Sequence, residues 1–191
     1  MAEQPQVSES VSPAQFFEEL LPMGFAAQAQ QGESGAPGEF ILQYHLIGEG
    51  GGDWGLTISG GTMTARKGSG EANLTVTTSV DDWRDAVLAR DGATLALILP
   101  QRRAGRPDNS AQVKALKGVM GLELARDGKD PFKVEMAFNN ATAPKTVIKM
   151  KLADYVAMQE GKLNGQEAFM TGKLRVEGDM ALLMQIAAMN M

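Results

Sequence analysis

The segment from Gly172 to Asn190 constrains the fold most. Lys173-Leu174-Arg175-Val176-Glu177 alternates polar and apolar residues, the period of a half-buried strand. Gly172 and Gly178 bracket it as turn punctuation. Asp179 then stands as an N-cap, its carboxylate favoured at the positive end of a helix. From Met180 onward only Gln185 and Asn190 interrupt the apolar residues, which predicts a buried helix. At about 1.5 Å per residue this helix reaches about 18 Å, too short to cross a bilayer. Six of the chain's 12 methionines lie between Met158 and Met191. Methionine is flexible and polarizable, so it suits a wall that fits ligands of variable shape, and equally suits ordinary core.

Composition removes several classes of function. The chain has 191 residues and is 43% hydrophobic, which allows one large domain or two small ones with a real core. It has no cysteine and a single histidine, His45, so no disulfide framework, thiol nucleophile, thiolate site or His cluster is available. No metal or cofactor is expected. His45 reads as a partly exposed strand residue. There is no Gly-x-Ser-x-Gly elbow. Asp81 and Asp82 are sequential and do not face one another on a helix, so they read as helix-start residues. Gly48 to Asp53 lacks the Gly-Lys-Ser/Thr ending of a phosphate loop and precedes a strand.

The net charge of −5 is unevenly spread: residues 1–91 carry 4 Lys/Arg against 13 Asp/Glu, and residues 92–191 carry 14 against 10. A basic second half favours anionic lipid surfaces or acyl phosphates, although solvated surface lysines and arginines give the same balance. Arg102, Arg103 and Arg106 form a basic loop that either docks a phosphate headgroup or is simply solvated. Nucleic acid is not an expected partner: the chain is acidic and lacks aromatics interleaved with basic residues. The N-terminus lacks a signal-peptide core, no run approaches 18 apolar residues, and Met189-Asn190-Met191 is no peroxisomal address. A cytoplasmic protein is the expectation.

Along the chain, residues 1–12 read as a disordered lead-in. Ser12 caps a helix with Pro13 at its first position and Gln15 at N3. Phe16, Phe17, Leu20 and Leu21 form its stripe, and Pro22 ends or kinks it. Residues 30–38 are linker-like. Strands follow over Glu39–Ile47, with Phe40, Leu42, Tyr44 and Leu46 on one face, and around Trp54–Ile58, Met63–Lys67 and Leu74–Thr78, by alternation. Ser79 then caps a helix with Asp82 at N3 and Trp83, Val87 and Leu88 inward. After an apolar run at Ala93–Leu99 and a short helix at Ser110–Lys117, Val119–Ala125, Phe132–Phe138 and Thr146–Met150 alternate as strands.

Leu74 to Trp83 parallels Thr146 to Tyr155 at an offset of 72, and Trp54–Ile58 parallels Phe132–Met136. This is a candidate internal repeat, 39–117 and 118–191, within a single domain spanning 13–191. Any strand followed by an Asp-aromatic helix start gives a similar pattern, and two small fused lobes are the alternative.

The run Gly161-Lys162-Leu163-Asn164-Gly165-Gln166-Glu167-Ala168-Phe169-Met170-Thr171-Gly172, continuing through Lys173–Gly178 to Ile186, resembles the C-terminal signature of the sterol carrier protein 2 family. It departs at Gly165, where the family usually has Pro, and at Thr171, where it often has Gln. The order from Pro13 through Trp54 to Asp82-Trp83 is also similar to the family, so the resemblance covers most of 13–90 and again 144–189. Between these blocks Arg90-Asp91-Gly92 and the basic loop depart from it, giving an enlarged middle.

The resemblance implies an α+β fold, a mainly antiparallel sheet with helices packed on one face, enclosing an apolar tunnel. It implies a noncatalytic carrier of a sterol, fatty acid or fatty acyl group. The residues expected to line the tunnel are Trp83, Tyr155, Met158, Phe169, Met170, Leu174, Met180, Leu183, Met184 and Ile186. The competing readings are an accessory module that presents lipid to a partner enzyme, and an enzyme with an unconventional acid-base site. Transient membrane-surface contact, a homodimer and a lipid-metabolising enzyme as partner stay open.

Overall fold

A computed structural model describes residues 8, 10–30, 38–89, 92–99 and 109–189. Most of the expected lead-in, most of the linker at 30–38 and the Arg102–Arg106 loop lie outside the described residues. Within the lead-in, Val11 is buried in the core. Its N–H donates to the Ser8 carbonyl and its own carbonyl accepts from Arg84 Nη1 at 3.4 Å. Ordered contact therefore begins before Pro13.

The chain opens with α1 (Pro13–Gln15), a π-helical turn (Phe16–Leu20) and α2 (Leu21–Gln30). Ser12 Oγ accepts from the Gln15 N–H at 3.2 Å, as the cap predicts. Pro22 does not end the helix. The π turn, closed by the Leu21 N–H on the Phe16 carbonyl, shifts the bonding pattern just ahead of the residue that cannot donate.

Then come β1 (Phe40–Ile47), β2 (Gly52–Ser59), β3 (Thr62–Lys67), β4 (Leu74–Ser79), α3 (Val80–Leu88), α4 (Gly92–Leu95) and α5 (Ser110–Ala115). The rest is β5 (Gly118–Arg126), β6 (Lys129–Phe138), β7 (Lys145–Lys151), α6 (Leu152–Gln159), α7 (Gly165–Met170), β8 (Arg175–Gly178) and α8 (Met180–Ala188). The expected strands appear, β6 beginning three residues early and the others within two residues, because alternation marks the face that is buried and therefore the strand itself.

One eight-stranded sheet runs β3-β2-β1-β4-β6-β5-β7-β8. Only β1–β4 and β5–β7 pair in parallel. The other five pairings are antiparallel, so the α+β class and the mainly antiparallel sheet are as expected. Leu42, Tyr44 and Leu46 of β1, Leu74 and Val76 of β4, Val134, Met136 and Phe138 of β6, and Leu122 and Leu124 of β5 point to one face. There they share a single core with Phe16, Phe17, Trp83, Leu182 and Ile186 from the helices.

The two ends of the sheet have the same connectivity. β1 lies antiparallel to β2 and parallel to β4, which leads into α3. β5 lies antiparallel to β6 and parallel to β7, which leads into α6. Leu42 pairs with Leu74 as Met120 pairs with Thr146. Tyr44 pairs with Trp54 as Leu122 pairs with Val134. Trp54 thus corresponds to Val134, two positions from the match in sequence, and an even shift keeps the same face. The hairpin lengths account for it: the first closes at Leu46–Gly52, the second at Arg126–Lys129 after a register shift.

The ends meet where β4 pairs with β6. Thr78 Oγ1 donates to the Lys133 carbonyl at 2.7 Å across this seam. Asp82, buried in the first turn of α3, accepts from Arg126 Nη2 at 2.8 Å and from the Lys133 N–H at 3.0 Å. Arg126 also donates to Asp85 at 2.8 Å. Helix-start duty was the expectation for Asp82; locking α3 to the second hairpin is an addition, set by a partner 44 positions away. Truncating Arg126 strands the Asp82 carboxylate. Urea unfolding of Arg126→Ala is expected to show a loss of about 3 kcal/mol, whereas the exposed Lys129→Ala stays within about 0.5 kcal/mol of the parent.

Candidate functional site

The corresponding helices α3 and α6 cover the sheet very differently. In α3, Val80, Asp82, Trp83, Ala86 and Val87 are buried, and Ser79 caps the helix through its side chain. In α6 no residue is buried. Leu152, Tyr155 and Met158 are only half-covered, yet they pack against the core alongside Ile148 and Leu174. At the second end the helix is therefore covered less completely than its counterpart at the first.

The segment after α6 holds its shape by local bonds. Gly161 turns the chain with φ 73°. Asn164 Oδ1 accepts from the Gln166 N–H at 2.7 Å and caps α7. Ala168, fully buried, anchors α7, and its carbonyl accepts from the Leu174 N–H at 2.9 Å. Thr171 Oγ1 donates to the Glu167 carbonyl at 2.7 Å. That hydroxyl serves the end of α7. Asp179 caps α8 through the Leu182 N–H at 2.7 Å, as expected.

α8 is not buried all round. Leu182, Ile186 and Met189 face the core, while Met180 and Met184 are 49% and 66% exposed. Apolar residues circle the helix, but only one stripe meets the sheet. The approach there is close: a Cβ on Gly118, whose φ is 144°, would lie 2.6 Å from Leu182 Cδ2. Asn109 Nδ2 holds the end of α8 by donating to the Met189 carbonyl.

The ten expected lining residues separate into groups. Tyr155, Met158 and Leu174 are partly buried and pack against the core. Ile186 is buried beneath α8, and Leu183 is half-buried beside it. Phe169 and Met170 are 54% and 77% exposed and, with Met180 and Met184, form the outward ridges of α7 and α8. Trp83 lies at the other end of the sheet, on α3, in edge contact with Phe16 at 5.5 Å.

Two features of the interior went unnoticed in the sequence. Ile148 and Leu152 join the same wall. Thr146 is fully buried on the inward face of β7, and its hydroxyl has no hydrogen-bond partner among the described residues. An inward-facing threonine between apolar alternating residues was the available signal. On the opposite face, Lys149 lies 2.7 Å from Glu177 and 3.6 Å from Glu123. The Glu177 hydrogen bond raises the Lys149 pKa above the ordinary lysine value. His45, on β1, lies 2.8 Å from Asp53 in the first hairpin and is half-exposed, the ordinary strand environment expected for it. Among the described residues no group of three or more His, Asp or Glu side chains is placed to hold a metal ion, and no helix is long and apolar enough to cross a membrane.

The sequence pattern of the SCP-2 sterol transfer family matches residues 99–189, the stretch that contains β5 through α8. The oleate-induced peroxisomal protein POX18 of Candida maltosa is 31% identical over 103 residues, which cover 47% of this chain and 81% of that protein. The chain belongs to the SCP-2 sterol transfer family. Among solved structures, the sterol carrier protein domain 2 of Helicoverpa armigera is 25% identical, covering 42% of this chain and 72% of that one, with a TM-score of 0.33. Sterol Carrier Protein 2 of Yarrowia lipolytica in its apo form is 17% identical, covering 96% and 98%, with a TM-score of 0.28. As an SCP-2 family member the chain is placed among lipid-binding and lipid-transfer proteins, whose ligands include sterols and fatty acyl groups.

The family's proline position is occupied here by Gly165, the first residue of α7. Proline suits that position because its missing N–H would be unpaired in any case. Asn164 before it is already extended, with φ −84° and ψ 139°, as a residue preceding proline must be. A Cβ at Gly165 meets only the flexible tip of Met158, at 3.4 Å. Gly165→Pro is expected to raise stability by about 0.4–1 kcal/mol through the unfolded chain, read as a higher urea midpoint with an unchanged slope.

Proposed function

We propose that this protein is a noncatalytic carrier that shields one lipid, a sterol, fatty acid or fatty acyl group, between α6, α7 and α8 and the strands β5, β7 and β8. The observation that carries the reading is the exposure of α6: no residue of it is buried, although α3, with the same connectivity, is half buried. A lipid seated there covers Tyr155, Met158, Leu174, Ile148 and Leu152 and completes the core. Thr146 supplies an inward hydroxyl for a ligand's polar group. We further read the two ends of the sheet as copies of one unit that share β4 and β6 at the seam, within a single domain. The family pattern falls on the second copy.

A ligand that buries about 400 Å² of apolar surface gains roughly 10 kcal/mol. Association costs of at least about 4 kcal/mol leave about 6 kcal/mol or less, a Kd of tens of micromolar. The isolated protein is therefore expected to bind a fluorescent fatty acid or sterol analogue saturably in that range. Met158→Asp places an unpaired charge on the wall and weakens binding at least tenfold, with circular dichroism and melting reported alongside. Met23→Asp, on the exposed surface of α2, binds like the parent. Thr146→Val, which keeps the shape but removes the hydroxyl, weakens binding of a fatty acid while leaving an alkane of equal length unaffected. A linear, non-saturating signal for every lipid class tested contradicts the carrier reading.

The exposed ridge of Phe169, Met170, Met180 and Met184 favours one second reading, a module that docks on a partner enzyme and presents lipid to it. That reading requires the partner for binding, so saturable binding by the isolated chain excludes it. We place the carrier in the cytoplasm. Its relative POX18 is described as peroxisomal, and cell fractionation decides between the two compartments.

A further inference from the structure

In the first copy, the space between α3 and strands β1 and β2 is filled by residues from outside the copy. Phe17, from the helix that precedes β1, is fully buried there. Its ring stacks on Trp54 of β2 at 5.2 Å and 22°, lies 4.6 Å from Tyr44 of β1, and lies 6.2 Å from Trp83 of α3. The next residue, Glu18, accepts a hydrogen bond from Trp54 Nε1 at 2.9 Å. An apolar ring followed by a carboxylate thus lies against α3 and β1, the counterparts of α6 and β5 in the proposed lipid site.

The walls around this ring are rich in donors. Besides Trp54, Trp83 Nε1 and the Tyr44 hydroxyl are buried with no hydrogen-bond partner among the described residues. Buried tyrosine and tryptophan normally find partners, and an unpaired donor is costly. An indole N–H only donates, so the group that would satisfy it is an acceptor. The inserted residues lie in the π turn Phe16–Leu20, a rare helix form that concentrates at functional positions.

We propose that the space between α3, β1 and β2 is a second ligand site, for an apolar carboxylic acid, and that Phe17 and Glu18 of the chain's own N-terminal helix are its resident occupant. Withdrawal of that helix opens the site. The ligand's chain takes the place of the Phe17 ring, and its carboxylate takes the Trp54 hydrogen bond from Glu18. The inference rests on the carrier reading only for the correspondence between the two copies.

Both tryptophans of the chain, Trp54 and Trp83, line this site, and none lies in the second copy. Contact quenching of tryptophan emission by dibromostearic acid therefore reports on the first copy alone, while equilibrium dialysis counts all bound acid. Phe17→Ala in the full chain is expected to show saturable quenching of at least half the emission, at a probe concentration at least tenfold below that needed for the parent. A dibrominated alkane of equal length quenches the variant at least tenfold less effectively. If Phe17→Ala does not fold, Phe17→Leu is read by the same criteria. A folded variant whose emission is quenched no more than the parent's overturns the second site, whatever dialysis shows. Dialysis separately decides whether the second copy carries lipid.

Discussion

The structure depends on the antiparallel pairing of β4 with β6. Five residue pairs, from Leu74–Phe138 to Thr78–Val134, join two four-stranded ends into one sheet. The pairing makes both strands internal, so neither end exposes an open edge at the seam. It also places the first turn of α3 over the second hairpin, where Asp82, Arg126 and Lys133 meet. Asn139 closes the far end of the seam: its N–H donates to the Asn73 carbonyl at 2.9 Å and its side chain donates to the Leu116 carbonyl at 2.7 Å. Asn139 holds φ 51°, a left-handed conformation that asparagine tolerates better than most residues.

The shared sheet has two differently covered ends. The first end is filled by aromatic rings, Phe16, Phe17, Tyr44, Trp54 and Trp83, in mutual contact. Such packing is rigid while Phe17 holds its place. Burial raises the Tyr44 pKa well above the ordinary phenol value, consistent with a neutral hydroxyl sealed from water. The second end substitutes aliphatic residues, Leu122 and Val134, where the first has Tyr44 and Trp54. It leaves α6 half-covered. The first end is thus closed by its own side chains and the second is covered only in part, across a shared seam.

Strands, caps and the α+β class were legible in the sequence because each is a local signal. Alternation in Leu42, Tyr44 and Leu46 marks a face, and Ser12, Ser79 and Asp179 mark helix starts by the type of side chain that reaches the backbone. The order of strands in the sheet was not, since nothing local couples Leu74 to Phe138. The burial of α8 was overestimated for a related reason. A helix apolar all round predicts coverage on every side, but Met180 and Met184 face outward because only the Leu182–Ile186–Met189 stripe meets the sheet. Trp83 and Tyr155 occupy corresponding helix starts, on α3 and α6. Phe17 was visible as part of a helical stripe. That it fills the first end of the sheet follows only from the long-range fold.

The most direct test of this account is amide hydrogen exchange of the full chain with and without saturating fatty acid. The account predicts added protection in α6, α7 and α8, residues 152–188, and in β7, larger than any change across β1 to α3, residues 40–88. Protection confined to residues 40–88, or spread evenly over the sheet, would contradict the claim that the second end is the open, lipid-bearing one.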